Sequence, residues 1–310
     1  MRTAHQALAA TGIVPELLYL GDLRSPESVL KASRSLRVES VKFDIVHAQY
    51  GSALGWMTGA FATQSRTVLS IRGSDWTPWA RHGLGAVHGR LGAALTRRSI
   101  SRFDLLLPVS YRMAHEVRAR SPHSRIKVLT DPIDLDRFSP EHQPEASRVQ
   151  FGLEPDSPVV LFISASEGNS VKRPELARAA VEHARIKIPG LQVLVATGLA
   201  HEAMPRAIAC ADVVICTSRS EGWPNAIKEA LACDVPFVAT DVSDLRAIAD
   251  AAPLCRVTAP DPVALGDALC DVIESPASQR RGLHLLMRGF SLTTFADQLQ
   301  RSYLALLEHN

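Results

Sequence analysis

Apolar and polar positions follow two rhythms along this chain, and the rhythms take turns. Short, nearly continuous apolar runs fall at 43–47, 67–71, 104–109 and 126–129, and again at 159–163, 191–195, 213–217, 236–240 and 253–257. Runs of that length, rich in Val, Ile and Leu, suit strands buried on both faces. Between them, apolar residues recur every three or four positions, the period of a helix that buries one side. Strand and helix in regular alternation predict parallel sheets wrapped by helices, because a parallel neighbour is reached only through a crossover. Residues 2–11 read as a helix, 14–20 as a further strand and 292–308 as a closing apolar-periodic helix. The polar, Pro-bearing segment 139–145 reads as a linker. The predicted divisions are therefore 1–140, 141–291 and the terminal helix 292–310. No internal repeat or low-complexity tract interrupts them.

Composition narrows the class. A chain of 310 residues has room for two ordinary domains. Its 46% hydrophobic content and mean hydropathy of +0.03 allow a large core. No apolar run reaches transmembrane length and no signal peptide is visible, so the expected setting is cytoplasmic. The five cysteines, all in the second half, show no Cys-x-x-Cys pair and read as reduced core thiols. Charge is uneven. Residues 1–145 carry 19 Lys+Arg against 13 Asp+Glu, and the remainder 15 against 19. A basic first half suggests an anionic partner.

The chemistry gathers at Ser218-Arg219-Ser220-Glu221-Gly222-Trp223-Pro224-Asn225-Ala226-Ile227-Lys228-Glu229-Ala230. This stretch follows the apolar run 213–217 and turns through Gly222 and Pro224 into a helix, with Pro224 suited to the first helical position. The first amides of such a helix lack internal partners and carry the positive end of its dipole, which makes an anion site. Glu221 and Glu229, eight apart, are placed to accept hydroxyl protons on either side. A phosphate flanked by hydroxyls describes a nucleotide sugar.

Here a resemblance becomes specific. Glu221-Gly222-x-Pro224-Asn225-x-x-Lys228-Glu229-Ala230 resembles the Glu-x₇-Glu motif of retaining glycosyltransferases of family four, and Ala232-Cys233-Asp234-Val235-Pro236-Phe237-Val238-Ala239-Thr240-Asp241-Val242 is similar to that family's next strand. The resemblance implies the GT-B fold: two Rossmann-like, doubly wound α/β domains facing a cleft, with the terminal helix returning towards the first. GT-B first domains begin with a strand and a Gly-rich turn. Met1 leads here straight into what resembles the first helix, so that strand is expected to be missing, through a miscalled start or a truncated gene.

By resemblance, Glu221 bonds the donor sugar and Glu229 the ribose, while Ser220, Gly222, Trp223 and Asn225 line the donor, the last three through their amides. Lys172 grips the diphosphate. The family's second cation, directly after the strand, is replaced by Ala165-Ser166, and Arg173 is the candidate substitute. Arg72-Gly73-Ser74-Asp75 resembles the family's His-Gly-Ser-Asp turn, with Arg72 in the His place. Arg72 cannot act as a base; it either stabilises a leaving diphosphate or pairs with Asp75 in a tight turn. His47-Ala48-Gln49-Tyr50-Gly51 resembles His-Ala-His-Tyr-Gly. His47, Tyr50 and Asp75 fall on the acceptor side by this resemblance, with a satisfied core histidine as the other reading of His47. Asp134-Leu135-Asp136 has the spacing of a metal motif. The surrounding Ile133-Asp134-x-x-x-Phe138-x-Pro140 instead matches the joint that ends the first GT-B domain, where Thr130-Asp131-Pro132 replaces the usual Asn-Gly. No His/Cys/Asp cluster has metal-ligand spacing, so no metal or cofactor is expected. Trp76, Trp79, Arg81 and His82 lead into a helix bearing Arg90, Arg97 and Arg98, followed by Arg102. These residues suit either a membrane surface or a solvated helix over core tryptophans.

The resemblance implies metal-independent, retaining transfer of a sugar from a nucleotide-sugar donor to a glycan or lipid-linked acceptor. The implied setting is synthesis of lipopolysaccharide, capsule or exopolysaccharide at the inner face of the cytoplasmic membrane. No catalytic base is visible; the held diphosphate would help deprotonate the acceptor. Two rivals stay open: a non-catalytic GT-B scaffold or donor-binding subunit, and a nucleotide-sugar 2-epimerase. Nucleic-acid binding lacks a motif.

Overall fold

The computed structural model describes all residues except 1–7, 10, 24, 79–83, 141–143, 165–168, 253, 277–278, 280 and 309–310. The chain forms two compact units, Met1–Pro132 with Leu292–Asn310, and Ile133–Ser291. The sequence reading had placed the boundary at residue 140. Residues 133–138 are tied inside the second unit: the Ile133 amide donates to the Phe290 carbonyl at 2.8 Å and Phe138 is buried.

In the first unit, β1 (Ile45–Ala48), β2 (Arg66–Ile71) and β3 (Leu105–Pro108) form a parallel sheet in the order β1-β2-β3. Around it lie α1 (Pro26–Ser40), α2 (Ser52–Phe61), α3 (Leu84–Ser99) and α4 (Tyr111–Arg120). Polar side chains set the helix starts: Ser25 and Ser28 form a reciprocal capping box on α1, and Ser110 caps α4 through the Met113 amide. The closing helix α11 (Leu292–Leu307) packs Phe295, Leu299 and Leu306 against Val68, Leu105, Leu107 and Leu129. The predicted helix 2–11 lies mostly outside the described residues; Leu8 and Ala9 are helical.

Two predicted strands of this unit fail. Residues 126–129 run beside β3, bonded through Lys127 N to Leu106 O and Leu129 N to Pro108 O, but make only an isolated bridge. Residues 14–20 form no regular element at all. At the two ends of this run, Ile13 packs in one apolar cluster and Leu20 in another. Val14 and Tyr19 are 84% and 88% exposed. An apolar run becomes a strand only where a neighbour supplies the ladder, and no described strand pairs with this one.

The second unit is a five-stranded parallel sheet ordered β5-β4-β6-β7-β8, from β4 (Val159–Ser164), β5 (Gln192–Thr197), β6 (Val213–Cys216), β7 (Phe237–Thr240) and β8 (Arg256–Thr258). β8 starts three residues later than predicted, and Pro253 lies outside the described residues. Helices α5 (Pro144–Gln150), α6 (Pro174–Lys187), α7 (Met204–Ala209), α8 (Asn225–Ala232), α9 (Leu245–Ala251) and α10 (Pro262–Glu274) complete it. Val160, Phe162, Val213 and Ile215 bury against Ala180 and Val181 of α6 and Leu265 and Leu269 of α10. The helices approach closely because Gly266 has no side chain: a Cβ there would stand 2.7 Å from the Ala180 carbonyl. All five cysteines are free and buried, and burial pushes the thiols of Cys210 and Cys255 up to about 11 and that of Cys233 to about 12.

Candidate functional site

The strand order of the second unit marks its own ligand position. From β4 the chain crosses to β5 on one side, then to β6 on the other, so the direction of winding reverses between β4 and β6. In open parallel sheets the crevice at the carboxyl ends of two such strands is where ligands bind. Lys172 follows β4 and Glu221 follows β6. The fold brings them together: Lys172 Nζ lies 2.6 Å from Glu221 Oε1, and the Ser218 hydroxyl donates to the same oxygen at 2.6 Å. Burial alone would lower the Lys172 pKa, but the Glu221 charge and hydrogen bond outweigh it and hold the ammonium above its ordinary value. A small pocket opens here between Phe162, Lys172, Cys216, Ser218, Ala226 and Ile227.

Arg173, the candidate substitute cation, braces the loop beside this site. It sits in the left-handed region (φ 50°) as the N-cap of α6, and its guanidinium donates to the Thr217 and Ser218 carbonyls at 2.5 and 3.0 Å. Thr217 returns the brace, its hydroxyl shared between the Lys172 and Arg173 carbonyls at 2.6 and 3.0 Å. Arg173 therefore fixes the loop from which Glu221 projects. Ala165 and Ser166, the place of the family's second cation, lie outside the described residues.

Past Glu221 the turn is pinned by Ser243, whose hydroxyl donates to the Gly222 carbonyl at 2.6 Å. Pro224 is the N-cap of α8 rather than its first residue (φ −70°, ψ 108°), because that extended ψ keeps it just outside the helix. The amides of Asn225 and Ala226 thus open the helix, where no carbonyl of its own can reach them. Asn225 is exposed, and Ser220 and Glu221 are half-buried. Trp223 is a core aromatic, packed 5.6 Å from the Phe290 ring, with Lys228 Nζ 5.4 Å from its ring centre. Its side chain faces the protein, leaving only its backbone for a ligand. Glu229, one turn further on, has its pKa raised by burial, which the charges of His201, Lys228 and Arg137 partly offset.

In the first unit the predicted acceptor-side residues turn inward. Asp75 is fully buried. Its carboxylate accepts the Gly51 amide at 2.8 Å, the Gly73 amide at 2.8 Å and the Arg72 amide at 3.0 Å. Burial raises its pKa and these amides pull it back. Gly51 can be nothing larger, since a Cβ would collide with Thr96. His47 bridges Tyr303 (Nδ1 to the hydroxyl, 2.6 Å) and Ser70 (Nε2 to Oγ, 2.9 Å). Desolvation first, then the Arg72 charge, pushes it from 6.5 down to about 3. It is a satisfied, neutral histidine that ties α11 to the sheet. Tyr50 pairs its hydroxyl with Ser74 at 2.5 Å. Arg72 does not form the expected side-chain pair with Asp75. Its guanidinium pairs with Asp131 and donates to the Gln49 carbonyl at 2.9 Å and the Gln49 amide oxygen at 3.1 Å.

The membrane reading also shifts. Trp76 is buried, its indole donates to Glu116 at 2.7 Å, and Arg97 lies over its ring at 5.5 Å. Trp79, Arg81 and His82 lie outside the described residues. Val87, His88, Arg90, Leu91 and Arg98 are exposed on α3. No helix among the described residues is long and apolar enough to cross a membrane, and none of their His, Cys, Asp and Glu side chains group as a metal site.

Sequence reasoning assigned no role to Ser218, Gln49 or Asp131. Ser218 could have been singled out as the hydroxyl three residues before Glu221; the other two depart from the resembled pattern, but nothing in the sequence pairs them with Arg72.

Comparison with known proteins identifies the domains and the fold. Residues 154–275 match the family described as Glycosyl transferases group 1, and residues 2–137 match Glycosyltransferase Family 4. The chain is 30% identical over 213 residues to D-inositol 3-phosphate glycosyltransferase of Mycolicibacterium smegmatis, covering 58% of this chain and 47% of that protein. It is 24% identical over 227 residues to a Bacillus subtilis glycosyltransferase provisionally named for teichuronic acid biosynthesis, covering 66% of this chain and 55% of that protein. The chain spans about half the length of the curated relatives it matches. Among solved structures, sucrose-phosphate synthase from Thermosynechococcus elongatus superimposes with a TM-score of 0.75 at 17% identity, over 100% of this chain and 93% of that one. Anabaena HepE in complex with UDP and glucose gives 0.70 at 14% identity, over 97% and 88%. These likenesses show the fold, which is GT-B.

Proposed function

We propose that this chain, made of glycosyltransferase domains of the GT-B fold, moves a sugar from a nucleotide-sugar donor to an acceptor. The single observation that carries the reading is the meeting of Lys172 and Glu221 at the switch point of the second unit, with Glu229 eight residues on. In the proposal a diphosphate displaces Glu221 from Lys172 and takes the ammonium and the first amides of α8 as its partners, charge-assisted bonds being the strong kind. Glu221, released, accepts sugar hydroxyls. Glu229 accepts those of the ribose, and its raised pKa favours a site that desolvates it on purpose. No metal enters the scheme, since Lys172 and the helix amides are assigned the diphosphate charge. Retention of configuration follows from the resemblance of the Glu-x₇-Glu motif, with no protein nucleophile assigned.

The acceptor is read as a glycan or lipid-linked glycan of the cell envelope. The relative named for teichuronic acid biosynthesis supports that class. Contact with the inner face of the cytoplasmic membrane is assigned to the outer face of α3, where Arg90 and Arg98 accompany exposed Val87 and Leu91. One observation favours the non-catalytic scaffold as second reading: Arg173, the candidate substitute for the second cation, turns two of its donors to backbone carbonyls.

The test is nucleoside diphosphate release from a panel of UDP-, GDP-, ADP- and dTDP-sugars. One donor is expected to be turned over by the wild type, with Lys172→Met reducing the rate about 100-fold, the cost of removing a fixed charge from a transition state. Donor binding with no release under any condition would leave the scaffold.

A further inference from the structure

Gln49, Arg72 and Asp131 come from three separate segments and meet as one built cluster. Gln49 follows β1, Arg72 follows β2, and Asp131 follows residues 126–129, which run beside β3. Because these segments are parallel, all three residues stand at the carboxyl ends of the first unit's sheet, the end at which such sheets present their ligand sites. Each of the three also departs from the sequence pattern that the surrounding residues resemble, and the departures contact one another. Nε of Arg72 donates to the Gln49 carbonyl at 2.9 Å, one terminal nitrogen to the Gln49 amide oxygen at 3.1 Å and the other to Asp131.

This clamp fixes the guanidinium without exhausting it. Arginine has five N–H donors, and three are used, so each terminal nitrogen keeps one. The side chains of Arg72 and Asp131 remain 27% and 25% exposed, so the unused edge is within reach of solvent. A guanidinium held in place, with one donor left on each terminal nitrogen, suits the binding of an oxyanion.

We propose that the Gln49–Arg72–Asp131 cluster is an oxyanion-recognition site of the first unit, which takes a phosphate or carboxylate on the acceptor. Only the word acceptor rests on the proposed transferase reading; the binding site stands on the cluster itself. The donor's diphosphate has its own lysine, Lys172, in the second unit, so a fixed cation in the first unit is assigned to a second anion. Gln49 and Asp131 are positioning residues, which act by orienting Arg72.

The experiment is equilibrium binding to the full chain of glucose 6-phosphate, glucuronate and glucose, which probe phosphate, carboxylate and neither. Wild type and Lys172→Met are expected to bind at least one of the charged sugars at least tenfold more tightly than glucose, and the stronger of the two names the oxyanion. Arg72→Met is expected to lose that preference. Arg72→Lys, which keeps the charge without the fork, is expected to fall between, and it reports on the site even if Arg72→Met folds poorly. UDP, GDP, ADP and dTDP, measured in parallel, separate the two readings: a wild type that binds none of the four would count against the donor site alone. No preference for either charged sugar in the wild type, a preference that survives Arg72→Met, or one that disappears with Lys172→Met would overturn the oxyanion site.

Discussion

The two units solve the same folding problem by different means. The second buries the three inner strands of a five-stranded sheet, and its strength is apolar: Val160, Leu161, Val213 and Phe237 are fully buried. The first has three strands among its described residues, leaves the apolar run 14–20 largely outside, and relies on polar pins instead. Asp75 holds three amides, His47 ties the terminal helix to the sheet, and Arg72 clamps two segments to the end of β2. The lesson is that a smaller sheet can be made specific by a few satisfied buried polar groups. Such groups are costly to disturb, because every one left unpaired charges its full desolvation penalty.

The largest effect expected from this contrast is at Asp75. Asp75→Ala strands three backbone donors in the interior and should destabilise the first unit by about 3–5 kcal/mol, read as a lowered urea midpoint for the signal of that unit alone. Next comes a matched pair of leucines. Leu161→Ala, in the centre of the second sheet, should cost about 2–5 kcal/mol, whereas Leu17→Ala, in the exposed run, should stay within about 0.5 kcal/mol. Equal costs would mean that residues 14–20 are as well packed as a core strand, and the contrast would fail.

The smallest effect is a pH dependence confined to the first unit. His47 has a folded pKa of about 3, well below its ordinary 6.5. A histidine whose folded value is depressed contributes fully above pH 6.5, and that contribution is lost as pH falls from 6.5 towards 3, because the unfolded chain takes up the proton that the folded one refuses. Melting of the first unit should therefore soften between pH 7 and 5, and His47→Gln should flatten that slope. An unchanged slope in the variant would assign the dependence to another group.

How much of this was legible beforehand depends on whether the signal was local. The strands of the second unit, and the Glu221–Glu229 segment after the third of them in sequence, announced themselves because an apolar run, a Gly-Pro turn and a helix follow one another directly. The run at 14–20 carried the same apolar signal and misled, since pairing is a property of the neighbour and not of the run. Arg173 misled in a different way. Beside Lys172 its charge suggests phosphate, but its left-handed backbone turns the guanidinium onto carbonyls 44 and 45 residues away. The place of the Trp223 side chain is set by Phe290, 67 residues on, which packs against its ring. The partners of Arg72 were out of reach for the same reason: Asp131 lies 59 residues along the chain, and nothing local points to it.

The central claim is that the second unit holds a nucleotide sugar through Lys172, Glu221 and Glu229. The most direct test is calorimetric titration of wild type and Glu229→Ala with UDP, GDP, ADP and dTDP. The account predicts that one nucleotide binds the wild type and that Glu229→Ala weakens it roughly 10- to 100-fold, the worth of one or two hydrogen bonds to a charged acceptor. A wild type that binds none of the four, or a nucleotide held equally well by Glu229→Ala, would contradict it.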